Sequence, residues 1–270
     1  MRDCAASSGL RLLSFDLDDT LWPMRPVLDT ANYQLVNKMV KVGAKSASTQ
    51  NLQHMLKSIR QKDASLSYSA ARVKAIRQIL NANKLSHINH TQLYDVWLRA
   101  RHNAADDLLY PGTLETLTQL REAFPETIFA AITNGPGDPL AMRPEFAACF
   151  DLTITGEDSK VFPGRKPSPI IYNTALSRAG VEASEGWVHC GDDILNDVAT
   201  SKALGATTIW LTDSSCDPVA EINPYSTLNV REKAAREAQR RSVSLSCVDC
   251  RIRHITELPA ALIELLGSRS

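Results

Sequence analysis

An apolar run that stops abruptly in carboxylates constrains this chain more than any other feature. Leu12-Leu13-Ser14-Phe15 is followed by Asp16, Asp18 and Asp19, and then by Thr20. A continuous apolar run of this length suits a strand buried on both faces, as in the middle of a parallel sheet. Carboxylates crowded at its end repel one another, so the fold must supply a cation or let them share a proton. An Asp-x-Asp pair reaches one side only if the strand has begun to turn, and hard oxygen donors so placed suit a divalent metal. Taken alone, the stretch also fits an acidic loop or the start of a helix whose dipole favours negative charge.

A length of 270 residues fits one large domain or a core with an insertion. Apolar residues make up 44%, enough for a substantial core. Thirty basic and thirty acidic residues cancel, so nothing global favours nucleic acid or an anionic membrane surface. No apolar stretch approaches the roughly 20 residues needed to span a bilayer. The N-terminal MRDCAASSGLRLL carries Asp3 and too short an apolar run for a secretory signal. Six cysteines are too sparse for a disulfide framework, so a reducing cytoplasm is the expected compartment.

After Trp22, Pro23 and Pro26 should break any continuing element. Apolar residues then recur at three- and four-residue spacing, which predicts helices over 28–42, closed by Gly43, and over 49–60, 69–81 and 91–109. From Pro111 the pattern changes. A short helix over 113–124 precedes apolar runs at 127–132, 152–155, 187–190 and 206–211, with helical patterns at 168–179 and 194–204 between them. Such alternation implies an α/β fold with a doubly wound parallel sheet. The strand near Leu12 joins that sheet. The expected division is a core of 1–22 and 111–270 with an all-helical insertion of 23–110, in a loop where long insertions cost little. Residues 213–242 hold few large apolar side chains, and REKAAREAQRR (231–241) carries five basic and two acidic ones. This segment is expected to be a flexible, solvated connection rather than a partner-binding helix. The chain is then expected to return to the sheet edge within 244–255 and to close with a helix over 258–266.

Ligands of open parallel sheets bind beyond the carboxyl ends of the strands. Asp16, Asp18 and Thr20 follow the first strand, and Thr133, Asn134 and Gly135 follow the second. Arg165 and Lys166 lie beyond the third, and Gly191, Asp192, Asp193 and Asp197 beyond the fourth. Acids, a hydroxyl, amide donors and an ammonium thus converge on one rim. FDLDDT, ITNG, Lys166 in GRKPSP and GDDILND, in that order, resemble the four motifs of the haloacid dehalogenase-like (HAD) hydrolase superfamily. The resemblance covers 10–22 and 111–212, and the helical segment occupies the position of that family's cap domain.

The resemblance implies phosphoryl transfer through an aspartyl-phosphate. Asp16 would be the nucleophile and Asp18 the general acid and base. Mg2+ would be held by Asp16, the main-chain carbonyl of Asp18 and Asp192. Thr133 and the amide of Asn134 would donate to the phosphoryl oxygens, Lys166 would neutralise their charge, and Asp193 and Asp197 would support the metal shell, the lysine or waters. The family's dehalogenases lack an acid at the place of Asp18, and its transport ATPases carry Thr there. An acid therefore points to a phosphatase acting on a small phosphomonoester (nucleotide, flavin-pathway or sugar phosphate). The alternatives are a phosphomutase, a receiver-like signalling domain and a non-catalytic binding protein. Substrate identity would reside in the cap, which closes over the leaving group.

Elsewhere, Cys247-x-x-Cys250 lacks the second ligand pair of a zinc site and reads as free thiols. His189, Cys190, Tyr94 and Trp97 read as packed core positions.

Overall fold

In the computed structural model the described residues are 9–183, 186–212 and 230–267. Six strands are present among them: β1 (Leu12–Phe15), β2 (Ile128–Thr133), β3 (Leu152–Thr155), β4 (Trp187–Gly191), β5 (Thr207–Leu211) and β6 (Cys250–Ile252). They form one sheet in the order β3-β2-β1-β4-β5-β6, with every neighbouring pair parallel. This is the doubly wound α/β architecture that the alternating pattern predicts. The chain runs outward from β1 to β3, then returns to β4 on the other side of β1. The order therefore reverses between β1 and β4, and their carboxyl ends flank the crevice where such sheets bind ligands.

All four residues of β1 are buried, as the unbroken apolar run requires. Side chains alternate between the faces. Leu12 packs with Ala130, Ile132, Ile171, Tyr172 and Trp187 on one face. On the other face Phe15 meets Phe129 and Phe150 at ring-centroid distances of 6.2 and 6.0 Å.

The helices are α1 (Met24–Lys41), α2 (Thr49–Lys62), α3 (Tyr68–Ala82), α4 (His90–Asp107), α5 (Thr113–Ala123), α6 (Pro144–Ala147), α7 (Pro169–Ala179), α8 (Thr200–Ala203), α9 (Val230–Ser242) and α10 (Leu258–Gly267). Capping hydroxyls and amides start several of them: Ser48 accepts from Asn51 N, Ser67 from Ala70 N, and Asn89 from Thr91 N and Gln92 N. Two sequence expectations need correction. Pro26 does not break the chain but lies in the first turn of α1, where a main-chain N–H would have no intrahelical acceptor. The helix expected over 194–204 is split into a π-helical turn (Ile194–Ala199) and α8, closed by Gly205 at φ +104°.

The segment 213–242 also departs in part from expectation. Residues 213–229 lie outside the described ones, but α9 covers 230–242 and is tied down by a side chain described below. No helix among the described residues is long and apolar enough to cross a membrane.

The chain separates into two compact units. One takes the described residues up to 23, 109–212 and 237–267; the other takes 24–108 and 230–236. The second unit has its own core, in which Leu35, Met39, Leu52, Ile76, Ile79 and Trp97 are buried. At its centre Asn32 Oδ1 accepts from Arg72 Nη1 (2.7 Å) and Trp97 Nε1 (3.0 Å), and the Arg72 guanidinium stacks 3.8 Å from the Trp97 ring. One amide thus joins α1, α3 and α4.

Candidate active site

Asp16 continues the line of β1. Its N–H donates to Cys190 O at 3.0 Å, which holds it beside the end of β4. The chain then curls: Thr20 N and Leu21 N both donate to Leu17 O (3.2 and 2.8 Å), and Asp19 takes a left-handed φ of 64°. This curl returns Thr20 to the carboxylates. Its hydroxyl lies 3.2 Å from both Asp16 Oδ2 and Asp192 Oδ1. The same curl brings the buried Trp22 back to Asp18, with Nε1 donating to Asp18 Oδ1 at 2.8 Å.

Beyond β2, Thr133 is buried and accepts from Gly135 N at 3.4 Å. Asn134 spends its side chain on the main chain of Lys166: Oδ1 accepts from Lys166 N (2.8 Å) and Nδ2 donates to Lys166 O (3.1 Å). That double clamp fixes the base of the lysine. Its buried Nζ donates to Asp16 Oδ1 and to Asp197 Oδ1, the latter at 2.7 Å.

Beyond β4, Asp193 Oδ1 caps the following turn by accepting from Leu195 N (2.9 Å) and Asn196 N (3.0 Å). Its Oδ2 accepts from Asn196 Nδ2 at 2.8 Å and from Arg240 Nη2 of α9. Asp197 Oδ2 accepts from Asp193 N at 3.0 Å, so both carboxylate oxygens of Asp197 are engaged. Gly191 makes the approach possible, since a Cβ there would lie 2.5 Å from Asp197 Cγ. The carbonyl of Asp192 accepts from Trp210 Nε1 at 2.8 Å. Behind Asp197, buried His189 places Nε2 3.5 Å from Asp197 Oδ1 and Nδ1 2.8 Å from Ser14 Oγ.

The electrostatics follow from this crowding. Burial, only partly offset by Lys166 and reinforced by Asp197 and Asp18, pushes the Asp16 carboxyl up to about 7. Burial and the Asp16 charge raise Asp192 well above the carboxylate range. Burial would also raise Asp197, but Lys166 and then His189 outweigh it and bring it down. Burial would depress Lys166, yet Asp16 and Asp197 more than reverse this, so it is a cation. Burial lowers His189 and favours its neutral form.

Carboxylate oxygens of Asp16, Asp192 and Asp197 lie within 4.8 Å of one another. Asp197 is matched by Lys166, whereas Asp16 and Asp192 face each other with too little positive charge to remain ionised together. An all-oxygen set with such a deficit fits a hard divalent cation.

Asp16, Lys166, Asp192 and Asp197 are therefore brought into one cluster. Asp18 stands two residues from Asp16 and bears on its charge, and Asn134 acts on Lys166. Thr20, which the sequence placed on the same rim, joins them, and Trp22, His189 and Arg240 complete the network, although the sequence had not marked these three as site residues. Thr20 and Trp22 stand four residues beyond Asp16 and Asp18, a spacing that one tight turn brings together.

The model of the haloacid dehalogenase-like hydrolases matches residues 10–205. The chain belongs to this hydrolase family. Among curated relatives, a phosphoglycolate phosphatase of Vibrio parahaemolyticus is 26% identical over 80% of this chain and 90% of its own. The 5-amino-6-(5-phospho-D-ribitylamino)uracil phosphatase YigB of Escherichia coli is 26% identical over 76% of this chain and 84% of its own. The crystal structure of a 2-haloacid dehalogenase from Pseudomonas syringae pv. Tomato shares the HAD fold. Its TM-score is 0.69 at 24% identity, covering 95% of this chain and 99% of that one.

Proposed function

We propose that this HAD hydrolase is a phosphatase that cleaves a small phosphomonoester through an aspartyl-phosphate on Asp16. The observation carrying this reading is the position of Lys166. Its ammonium, held by the Asn134 clamp, joins Asp16 to Asp197 at the switch point of the sheet. A cation fixed beside a carboxylate nucleophile is what a dianionic phosphoryl group requires on approach. The phosphatase names of the two relatives described above support the same reaction class.

Asp16 attacks phosphorus and displaces the leaving oxygen, which takes a proton from Asp18. Asp18, now ionised, removes a proton from the water that attacks the phosphorylated Asp16 and releases inorganic phosphate. Lys166 binds the phosphoryl oxygens, and the Thr133 hydroxyl and the main-chain N–H of Asn134 donate to them. Asp197 keeps Lys166 charged and aimed. Asp193 holds the turn that carries Asp197. Mg2+ held by Asp16, the Asp18 carbonyl and Asp192 would neutralise the carboxylates and screen them from the substrate. In this reading the inserted helical unit is the cap, and the substrate class is a nucleotide, flavin-pathway or sugar phosphate.

Hydrolysis of p-nitrophenyl phosphate and a panel of phosphorylated metabolites, with Mg2+ or with a chelator, tests the reading. Wild-type turnover should require the metal, and Asp16→Asn should lower it by at least about 10³-fold, because no carboxylate remains to attack. Undiminished activity in Asp16→Asn would overturn the reading.

A further inference from the structure

We propose that Trp22 is a positioning residue that aims the Asp18 carboxyl at the leaving group, an inference that rests on the phosphatase reading above. An indole N–H donates and cannot accept, so it binds Asp18 Oδ1 through a lone pair and fixes that oxygen. Rotation about the Asp18 Cβ–Cγ bond is thereby restrained, and in this proposal Oδ2 carries the transferred proton.

The indole itself has little freedom. Trp22 is fully buried, with its ring 6.1 Å from that of Phe146. Its own carbonyl accepts from Asp19 N at 2.7 Å, and Trp22 and Asp18 form a bridge across the curl. The rigid backbone turn and the packed ring together set where Oδ1 lies. A general acid is effective only when its proton is within hydrogen-bond reach of the leaving oxygen, so this geometry bears on the protonation step above all others. The single N–H of the Trp22 indole goes to Asp18 and not to Asp16, Lys166 or Asp192, so its loss bears on protonation rather than on the nucleophilic attack.

Leaving-group dependence separates positioning from packing. A nitrophenolate departs with little protonation, whereas an alkoxide needs the acid. Trp22→Phe keeps an aromatic ring beside Phe146 and removes the N–H. It should lower kcat/KM, which reports phospho-enzyme formation and not its Asp18-assisted hydrolysis, by about 10–100-fold for an alkyl phosphomonoester such as glycerol phosphate, and by less than about threefold for p-nitrophenyl phosphate. Asp18→Asn should show the same split more strongly. Phe146→Leu loosens the same ring without removing the N–H and should show a smaller split than Trp22→Phe. Should Trp22→Phe fail to fold, the isosteric benzothienylalanine at position 22, which lacks only the N–H, should reproduce the split.

Equal loss on both substrates, or no loss on either, would overturn the proposal. A wild-type protein inactive on both would instead overturn the phosphatase reading. If the wild type is active and Asp18→Asn is split, the Trp22 variants judge this inference alone.

Discussion

At the scale of single residues, Gly191 shows how little space the site leaves. The Asp197 side chain occupies the volume that a Cβ at 191 would need. Gly191→Ala must therefore push Asp197 away from Lys166 or bend the end of β4. Because displacements of about 1 Å can cost on the order of 10²-fold in rate, kcat should fall by about that factor while the far-ultraviolet circular dichroism stays native. Unchanged kcat would show that Asp197 is not needed to aim the lysine. The meeting of Asp16, Lys166 and Asp192 on one rim was legible in the sequence because each lies beyond the end of an apolar run. Trp22 was not, since an aromatic side chain reads as core until the backbone curl shows where its N–H points. Arg240 was less legible still, because its partner Asp193 lies 47 residues away and nothing in a basic run marks one arginine as bonded.

Elements were legible where packing and local pattern agree. The strands and long helices appear within one to four residues of their expected ends, but the turn over 194–199 does not follow its helical pattern. There Asp193 caps the N-terminus while Asp197 is drawn to both Lys166 and Asp193 N, and the backbone widens to accommodate them. The edge strand β6 depends on a different carboxylate. Asp249 accepts from Lys202 Nζ (2.7 Å) and Thr208 N (2.9 Å) just before β6 begins beside β5. Partial burial would raise its carboxyl, but Lys202 and the Thr208 N–H outweigh this and hold it below the usual range. Stability from this group is therefore complete above the unfolded value of about 4 and is lost as pH falls through the lower folded value. Asp249→Asn should cost about 1–2 kcal/mol at pH 7. Urea titrations should show that the difference shrinks below about pH 4. A penalty of the same size at pH 3 would assign it to geometry rather than charge.

On the scale of the whole molecule, each compact unit is held by its own interior. Asn32→Ala removes an acceptor shared by Arg72 and Trp97. It should destabilise the unit containing 24–108 by about 2–4 kcal/mol, given the cost of leaving buried donors unsatisfied. Thermal denaturation followed by tryptophan fluorescence measures this, and an unchanged midpoint would show that the donors find other acceptors. The α/β class was readable because alternation survives any ambiguity at element ends, whereas the role of a polar residue such as Asn32 on an apolar helix face depends on partners 40 and 65 positions away. One main-chain bond has a wider consequence: Tyr110 N donates to Leu21 O at 2.9 Å, so the points where the chain leaves and rejoins the catalytic rim are already joined. The excursion between them leaves and returns at one point of the chain. Any folded segment whose two ends meet at that spacing could be exchanged for it while the strand-end loops stay in place.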